Sequence, residues 1–476
     1  MIEPASTAPI ERFTFDRLLT TLIFLTVALA ACLMPAQNDT WWQLRAGRDM
    51  WRAHDVLLRD TFSHTAYGSF WPNHEWLSQT IFYGLYAVGG LPLLTLSAAA
   101  AVVGAWAIAW RQTPASTRTR FLLTASVVVA ACSTWSPRPQ VLSLLLTMAT
   151  VALLRGRRYA WLPPVFLLWA NLHGAVVMGV WLLAVALAAS FVEEPRASPR
   201  LLAAAALSVA ATFLTPLGGR FWIDILQSLQ RIRRLGIAEW APPRLADPML
   251  IPFWLTLIAL AGLVLIRGRS VWRGQVSRQQ GHLTLCACAL ALVPLALTAA
   301  RNVPPFLMVA VPALAALMPQ RAAGVDRTPT ARPRLNLALT TTASVAAVTT
   351  LVVAYAGGAS HLAWTPLPPA SLAALDACPG NLYNRYDEGG YLIWFAPDRK
   401  VFLDGRQDPY SPALVAEQVR VEATGDFAAT FRRYDIRCAY TPAGSLVTAR
   451  LVQAGWRPLY RDQQWAVLAA DTLFVQ

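Results

Sequence analysis

The feature that most constrains this chain is a series of long apolar runs, at 18–36, 91–110, 121–134, 140–154, 161–170, 176–191, 201–214, 251–266, 283–297, 303–318 and 335–356. A hydrocarbon core takes roughly 17–25 apolar residues to cross as a helix, and within it each segment must satisfy its own backbone hydrogen bonds. Eleven apolar runs in 476 residues, several of them shorter than that length, describe a polytopic membrane protein. Composition agrees, with 56% hydrophobic and 14% charged residues, where soluble domains carry ~45–50% and ~25%. A soluble enzyme and a disordered chain are both excluded. The expected fold class is a membrane all-α protein of about eleven transmembrane helices. The segment 76–90 (WLSQTIFYGLYAVGG) is amphipathic and ends in Gly-Gly, so it is expected to lie in the membrane interface rather than to span.

Charge sets the orientation. The formal net charge is +14, from 40 basic residues of which 39 are arginine, against 26 acids. With the N-terminus in the cytoplasm, the loops 111–120, 155–158, 193–200, 267–278 and 320–334 fall inside and together carry +13. The first outer loop and everything after residue 356 each carry −1, and the outer loop 215–248 carries +2. This satisfies the positive-inside rule and accounts for the basic balance without a nucleic-acid partner. Leu29-Ala30-Ala31-Cys32 looks like a lipoprotein cleavage box, but the segment before it carries net −1 where a signal peptide is positive. The run is therefore read as an uncleaved span.

Outside the membrane the chain is expected to form a large first outer loop at 37–90, a second at 215–248, and a soluble extracytoplasmic α/β domain at 358–476, with residues 1–357 forming the membrane domain. In the tail, "NLYNRYDEGGYLIWFA" and "KVFLDGR" read as strands, "SPALVAEQVRVEA" and "FAATFRRY" as helices, "IRCAYTPA" as a strand, "SLVTARLVQAG" as a helix and "WAVLAA" as a last strand. Cys378 and Cys438 both fall there, on the oxidising side, and either pair or stay as buried thiols.

Ionisable groups at span ends in a membrane protein are functional suspects by default, and the topology gathers them on the outer face. Asp39 directly follows the first span, where it would act as a base or simply favour a helix start. His74 and Glu75 open the interfacial segment, as site residues or as interfacial anchors beside Trp71 and Trp76. Arg138 lies in the turn between the third and fourth spans and Arg301 between the ninth and tenth. Each would bind a substrate phosphate, or snorkel to a lipid. Asn171 and His173 lie between the fifth and sixth spans, as substrate ligands or as links between helices. Glu239 lies in the second outer loop. No second His follows His74 at zinc-motif spacing, and no Walker loop, Rossmann fingerprint or nucleophile elbow occurs.

An acidic residue just after a first span, a large outer loop ending in an interfacial helix, further spans and a soluble outer tail together resemble the GT-C superfamily. That superfamily includes protein O-mannosyltransferases, the aminoarabinose lipid A transferase and oligosaccharyltransferase catalytic subunits. More closely, the chain is similar to a group of bacterial membrane proteins sharing the loop "DTWWQLRAGRDMWRAHDVLLRDTFSHTAYGSFWPNHEWLSQ" and the tail "YDEGGYLIW…VFLDGRQDPY". The resemblance implies inverting transfer of a sugar from a polyprenyl-phosphate donor to a glycan, lipid or protein acceptor at the outer face of a bacterial inner membrane. In this scheme Asp39 is the base, His74 or Glu75 orients the acceptor, and Arg138 and Arg301 neutralise the leaving phosphate. The chain departs from the pattern in having Asn38-Asp39 where relatives place two adjacent acids, so no cofactor is assigned and a divalent metal is left open. Two other classes compete. An envelope polysaccharide polymerase or ligase would place its large outer loop later, and a transporter or assembly protein would show repeats and mid-span charges.

Overall fold

The structure, a computed structural model, describes residues 13–193, 195–235, 238–272, 281–319, 332–357 and 361–470. The inner-loop residues 273–278 and 320–331, the N-terminal charges before residue 13 and the expected start of the tail at 358 lie outside the described residues. The chain divides into two compact units. One comprises Met1–Met34, Thr95–Leu214 and Ala238–Gly358, and the other Pro35–Leu94, Thr215–Ile237 and Ala359–Gln476.

The first unit is helical. Every apolar run of the sequence contains a helix, and among the described residues six helices are long and apolar enough to cross a membrane: Phe15–Cys32, Trp76–Gln112, Val176–Glu193, Pro248–Arg267, Ala300–Leu317 and Pro333–Ala356. Gln140–Arg155, Ser198–Ala211 and His282–Thr298 are shorter apolar helices. The helix Val303–Leu317 is buried at every position, as expected of a helix that is apolar all round. It begins with Pro304 and Pro305, where the missing N–H groups cost nothing. Pro333–Ala356 is the opposite case, almost wholly outward-facing and packed on Phe15–Cys32. Tyr355 donates to the Cys32 carbonyl at 3.2 Å and Asn336 to that of Phe13 at 3.0 Å, so the first and last helices are tied at both ends.

The helix Trp76–Gln112 is broken at Gly89 and Gly90. Gly90 has φ 62° and ψ −160°, a conformation open essentially only to glycine. The Gly-Gly pair is thus where the amphipathic stretch stops and the apolar run begins.

In the second unit a four-stranded sheet is formed by β1 (Asn381–Asn384), β2 (Ile436–Pro442), β3 (Arg457–Arg461) and β4 (Trp465–Ala469). Its order is β1-β2-β4-β3, with β1 parallel to β2 and the other pairs antiparallel. Strand alternation sorts the core into two clusters. Leu382, Cys438, Tyr440 and Val467 face Trp42, Phe62 and Trp71 of the first loop, while Tyr383, Ala439 and Leu468 face Phe402, Phe431 and Leu451 of the tail. The first loop is therefore the cover of one sheet face. Cys378 and Cys438 form a disulfide with Cα atoms 5.6 Å apart.

Two strand expectations are corrected. "YDEGGYLIWF" is the helix Tyr386–Phe395. Asp387 and Glu388 sit in its first turn, where acids suit the helix dipole, and its aromatic residues pack on Trp41 rather than across a sheet. "KVFLDGR" forms only an isolated bridge, Ser63 to Val401. The Asn384 side chain accepts from Phe402 N–H and donates to the Leu403 carbonyl, both at 2.8 Å. A side chain thus replaces the ladder a strand would have made. Strand β3 was not anticipated.

Candidate functional site

Asp39 lies in the first turn of the helix Asn38–Ala53. Thr40 caps that helix, its hydroxyl accepting Gln37 N–H at 3.2 Å. The Asp39 carboxylate accepts the Trp42 indole N–H at 3.0 Å through Oδ1. One turn on, the buried Gln43 donates to Glu75 in a short hydrogen bond. His74 Nε2 stands 4.0 Å from the other Glu75 oxygen. His74 Nδ1 faces the Pro72 carbonyl at 3.1 Å. A carbonyl only accepts, which assigns the ring proton to Nδ1. A reciprocal amide pair between Asn73 and Gln79, at 2.8 and 2.7 Å, pins the corner from which Glu75 projects. Tyr391, on the tail helix Tyr386–Phe395, has its phenol pushed up to about 12 by burial and then by the nearby Asp39, Glu388 and Asp387 carboxylates. It therefore keeps its proton at neutral pH.

Sequence reading missed Gln43 and Tyr391. The spacing of four between Asp39 and Gln43 places them on one helix face and was a usable signal. Nothing local pointed to Tyr391.

The same unit holds a fully buried charge cluster. Arg406 Nη2 lies 2.6 Å from Asp60 and 2.7 Å from Asp404, and Tyr410 donates to Asp404 at 2.5 Å. The guanidinium also lies over Phe62 and Trp71, 4.8 and 4.7 Å from the ring centres. Burial alone would lower the Arg406 pKa, but Asp404, Tyr410 and Asp60 hold it well above the ordinary value. This cluster ties the first loop to the tail from inside the core.

In the other unit, Glu239 is gripped by two arginines. Arg138 Nη2 is 3.2 Å from Oε2 and Arg301 Nη1 is 3.5 Å from Oε1. Arg138 is buried and also donates to Ser136 at 3.0 Å, and Arg301 lies over the Trp240 ring at 4.3 Å. Burial pushes the Glu239 carboxyl up, but Arg301 and Arg138 outweigh it and hold the pKa below the ordinary 4.5. Two guanidiniums thus share one carboxylate, and the guanidinium fork is a group suited to an anion.

Asn171 and His173 make separate contacts. Asn171 donates to the Leu167 and Leu214 carbonyls at 2.9 and 3.0 Å. Trp169 donates to Ser143 at 2.7 Å, and Ser143 lies 2.7 Å from His173 Nδ1. Because an indole can only donate, the serine proton is left for His173. Both residues join helices through these bonds. Among the described residues no three His, Cys, Asp or Glu side chains converge to hold a metal ion.

No protein-family model matches the chain, and no curated protein matches its sequence. Solved structures do share its fold. ArnT from Cupriavidus metallidurans, bound to undecaprenyl phosphate, is similar at 12% identity and TM-score 0.50 over 95% of this chain and 97% of that one. The archaeal oligosaccharyltransferase AglB from Archaeoglobus fulgidus, in complex with an inhibitory peptide and a dolichol-phosphate, is similar at 10% identity and TM-score 0.53 over 90% of this chain and 70% of that one. At these identities the likeness is one of fold.

Proposed function

We infer that this chain, which has the fold of the GT-C membrane glycosyltransferases, moves a sugar from a polyprenyl-phosphate donor to an acceptor hydroxyl by an inverting displacement. The observation that carries this reading is the match, over 95% of the chain, to a protein solved with undecaprenyl phosphate bound. The two guanidiniums gathered on Glu239, those of Arg138 and Arg301, support it.

The chemistry follows from the groups present. Asp39, as carboxylate, takes the proton of the acceptor hydroxyl while that oxygen bonds to the anomeric carbon. The bond from that carbon to the phosphate oxygen breaks, its electron pair leaves with the oxygen, and polyprenyl phosphate is released. Arg138 and Arg301 stabilise the charge that develops there, guanidinium being matched to phosphate geometry. Glu75, fixed by Gln43 and flanked by His74, orients the acceptor. Asn171 and His173 are retained as substrate-side residues through the helix ends they tie together.

In this reading residues 1–357 are the membrane domain with a cytoplasmic N-terminus, and 358–476 an extracytoplasmic domain, in a bacterial inner membrane. Native mass spectrometry of the purified chain with undecaprenyl phosphate tests the donor class. One lipid phosphate bound to the wild type, and at least tenfold weaker binding after Arg138→Ala, is the expected result. Equal binding by both proteins would contradict it.

A further inference from the structure

The helix Tyr386–Phe395 carries two adjacent glycines, Gly389 and Gly390. Each costs about 1 kcal/mol relative to alanine in a helix interior, so their presence calls for a reason of space. A side chain at Gly390 would overlap the Asn38 carbonyl and amide oxygens, and its Cβ would stand 3.0 Å from the Asn38 carbonyl carbon. A side chain at Gly389 would strike the Leu403–Asp404 backbone, 2.7 Å from the Asp404 Cα. At Gly405, in the turn after Asp404, a Cβ would overlap Asp39 Oδ1 and sit 3.2 Å from Asn38 Nδ2 and 3.4 Å from the Trp42 indole nitrogen. Gly390 and Gly405 therefore let tail backbone close directly on residues 38 and 39, and Gly389 lets the helix close on the 403–404 backbone.

Hydrogen bonds complete the closure. Asn38 Oδ1 accepts Tyr391 N–H at 3.2 Å, and Asn38 Nδ2 donates to the Tyr386 carbonyl at 3.4 Å. The Tyr386 hydroxyl donates to the Gly405 carbonyl at 3.0 Å. The turn that carries Gly405 is anchored by the buried Asp60–Arg406–Asp404 cluster. Asn38 thus needs both a donor and an acceptor. An aspartate there could not donate to Tyr386, which gives a physical reason for asparagine where a second acid was expected.

We propose that the tail is a working part of the transfer site, in which Gly390 and Gly405 are positioning residues that clamp Asn38 and fix the Asp39 carboxylate between tail backbone and the Trp42 indole. The inference rests on the reading of Asp39 as the base. Hydrogen–deuterium exchange on the full chain in lipid nanodiscs tests it, with wild type, Gly405→Ala, Asn38→Asp and, as control, Gly444→Ala, whose Cβ would meet nothing within 4 Å. Asn38→Asp adds no bulk, so it does not rely on a clash.

Both site variants are expected to raise exchange in the segments 38–53 and 386–406 together, and the control in neither. With an undecaprenyl-phosphate-linked hexose as probe, Gly405→Ala is expected to lower release of undecaprenyl phosphate on the order of 100-fold with KM within roughly twofold, the signature of a misplaced reactive group. Exchange confined to 386–406 in both variants, or wild-type turnover in Gly405→Ala, would overturn the proposal. If the wild type itself releases no lipid phosphate while the two segments still loosen together, the clamp is upheld and it is the donor reading that fails.

Discussion

The Asp39 region is marked by close packing of backbone, and the Arg138–Glu239–Arg301 region by a shared countercharge. Asp39 accepts an indole N–H and lies against tail backbone at Gly405, with Asn38 beside it bonded to the Tyr391 N–H. Arg138 and Arg301 are held by a countercharge, Glu239, together with a serine and an indole ring. The difference matches the roles proposed for them. A base needs a constant position, which close contacts with backbone and an indole supply. Groups that receive an anion need a charge that can be shared, and a carboxylate between two guanidiniums keeps them ordered until phosphate competes for them.

The comparison breaks most sharply through the buried cluster behind Asp39. Arg406→Ala would leave Asp60 and Asp404 in the core without their cation, and breaking a buried pair costs about 3–5 kcal/mol. Thermal unfolding in detergent should show a large fall in Tm. Removing the disulfide with Cys378→Ser and Cys438→Ser frees a loop of 60 residues, worth about 4 kcal/mol on the chain-entropy account. That loss should appear as a lower Tm that reductant no longer alters.

On the cationic side, Arg138→Ala should lower sugar transfer about 10²-fold with little change in Tm beyond that of Glu239→Gln, as read in the donor-release assay. The smallest effect belongs to Glu239→Gln. It removes the carboxylate that both arginines share, so undecaprenyl phosphate should bind a few-fold tighter and with steeper salt dependence, which titration at two salt concentrations would show. Its pH dependence has a definite sign. The folded pKa of Glu239 lies below 4.5, so its contribution to stability is complete above the unfolded value and is lost as pH falls through the lower folded one. Glu239→Gln should therefore flatten the acid side of the stability profile by lowering stability at neutral pH and leaving the most acidic pH little changed.

Much of the architecture was legible in the sequence because lipid leaves the backbone few choices. All eleven apolar runs contain helices, and the positions of Arg138, Glu239 and Arg301 at helix ends follow from the same segmentation. What local pattern could not carry was pairing at a distance. Glu239 lies 101 residues from Arg138, and no window relates the two. The tail helix was misread as a strand for the same reason. Gly390 and the aromatic residues Trp394 and Phe395 answer to Asn38 and Trp41, about 350 positions away, so their meaning is tertiary. Asn384 deceived in another way, its side chain imitating a strand partner for Phe402 and Leu403.

The most direct test of the central claim is a glycan and glycolipid profile by mass spectrometry. It would compare a strain lacking the protein with strains complemented by wild type or by Asp39→Asn at equal membrane abundance. The account predicts that a sugar modification disappears with the protein, returns with wild type and stays absent with Asp39→Asn. Full restoration by Asp39→Asn would contradict it.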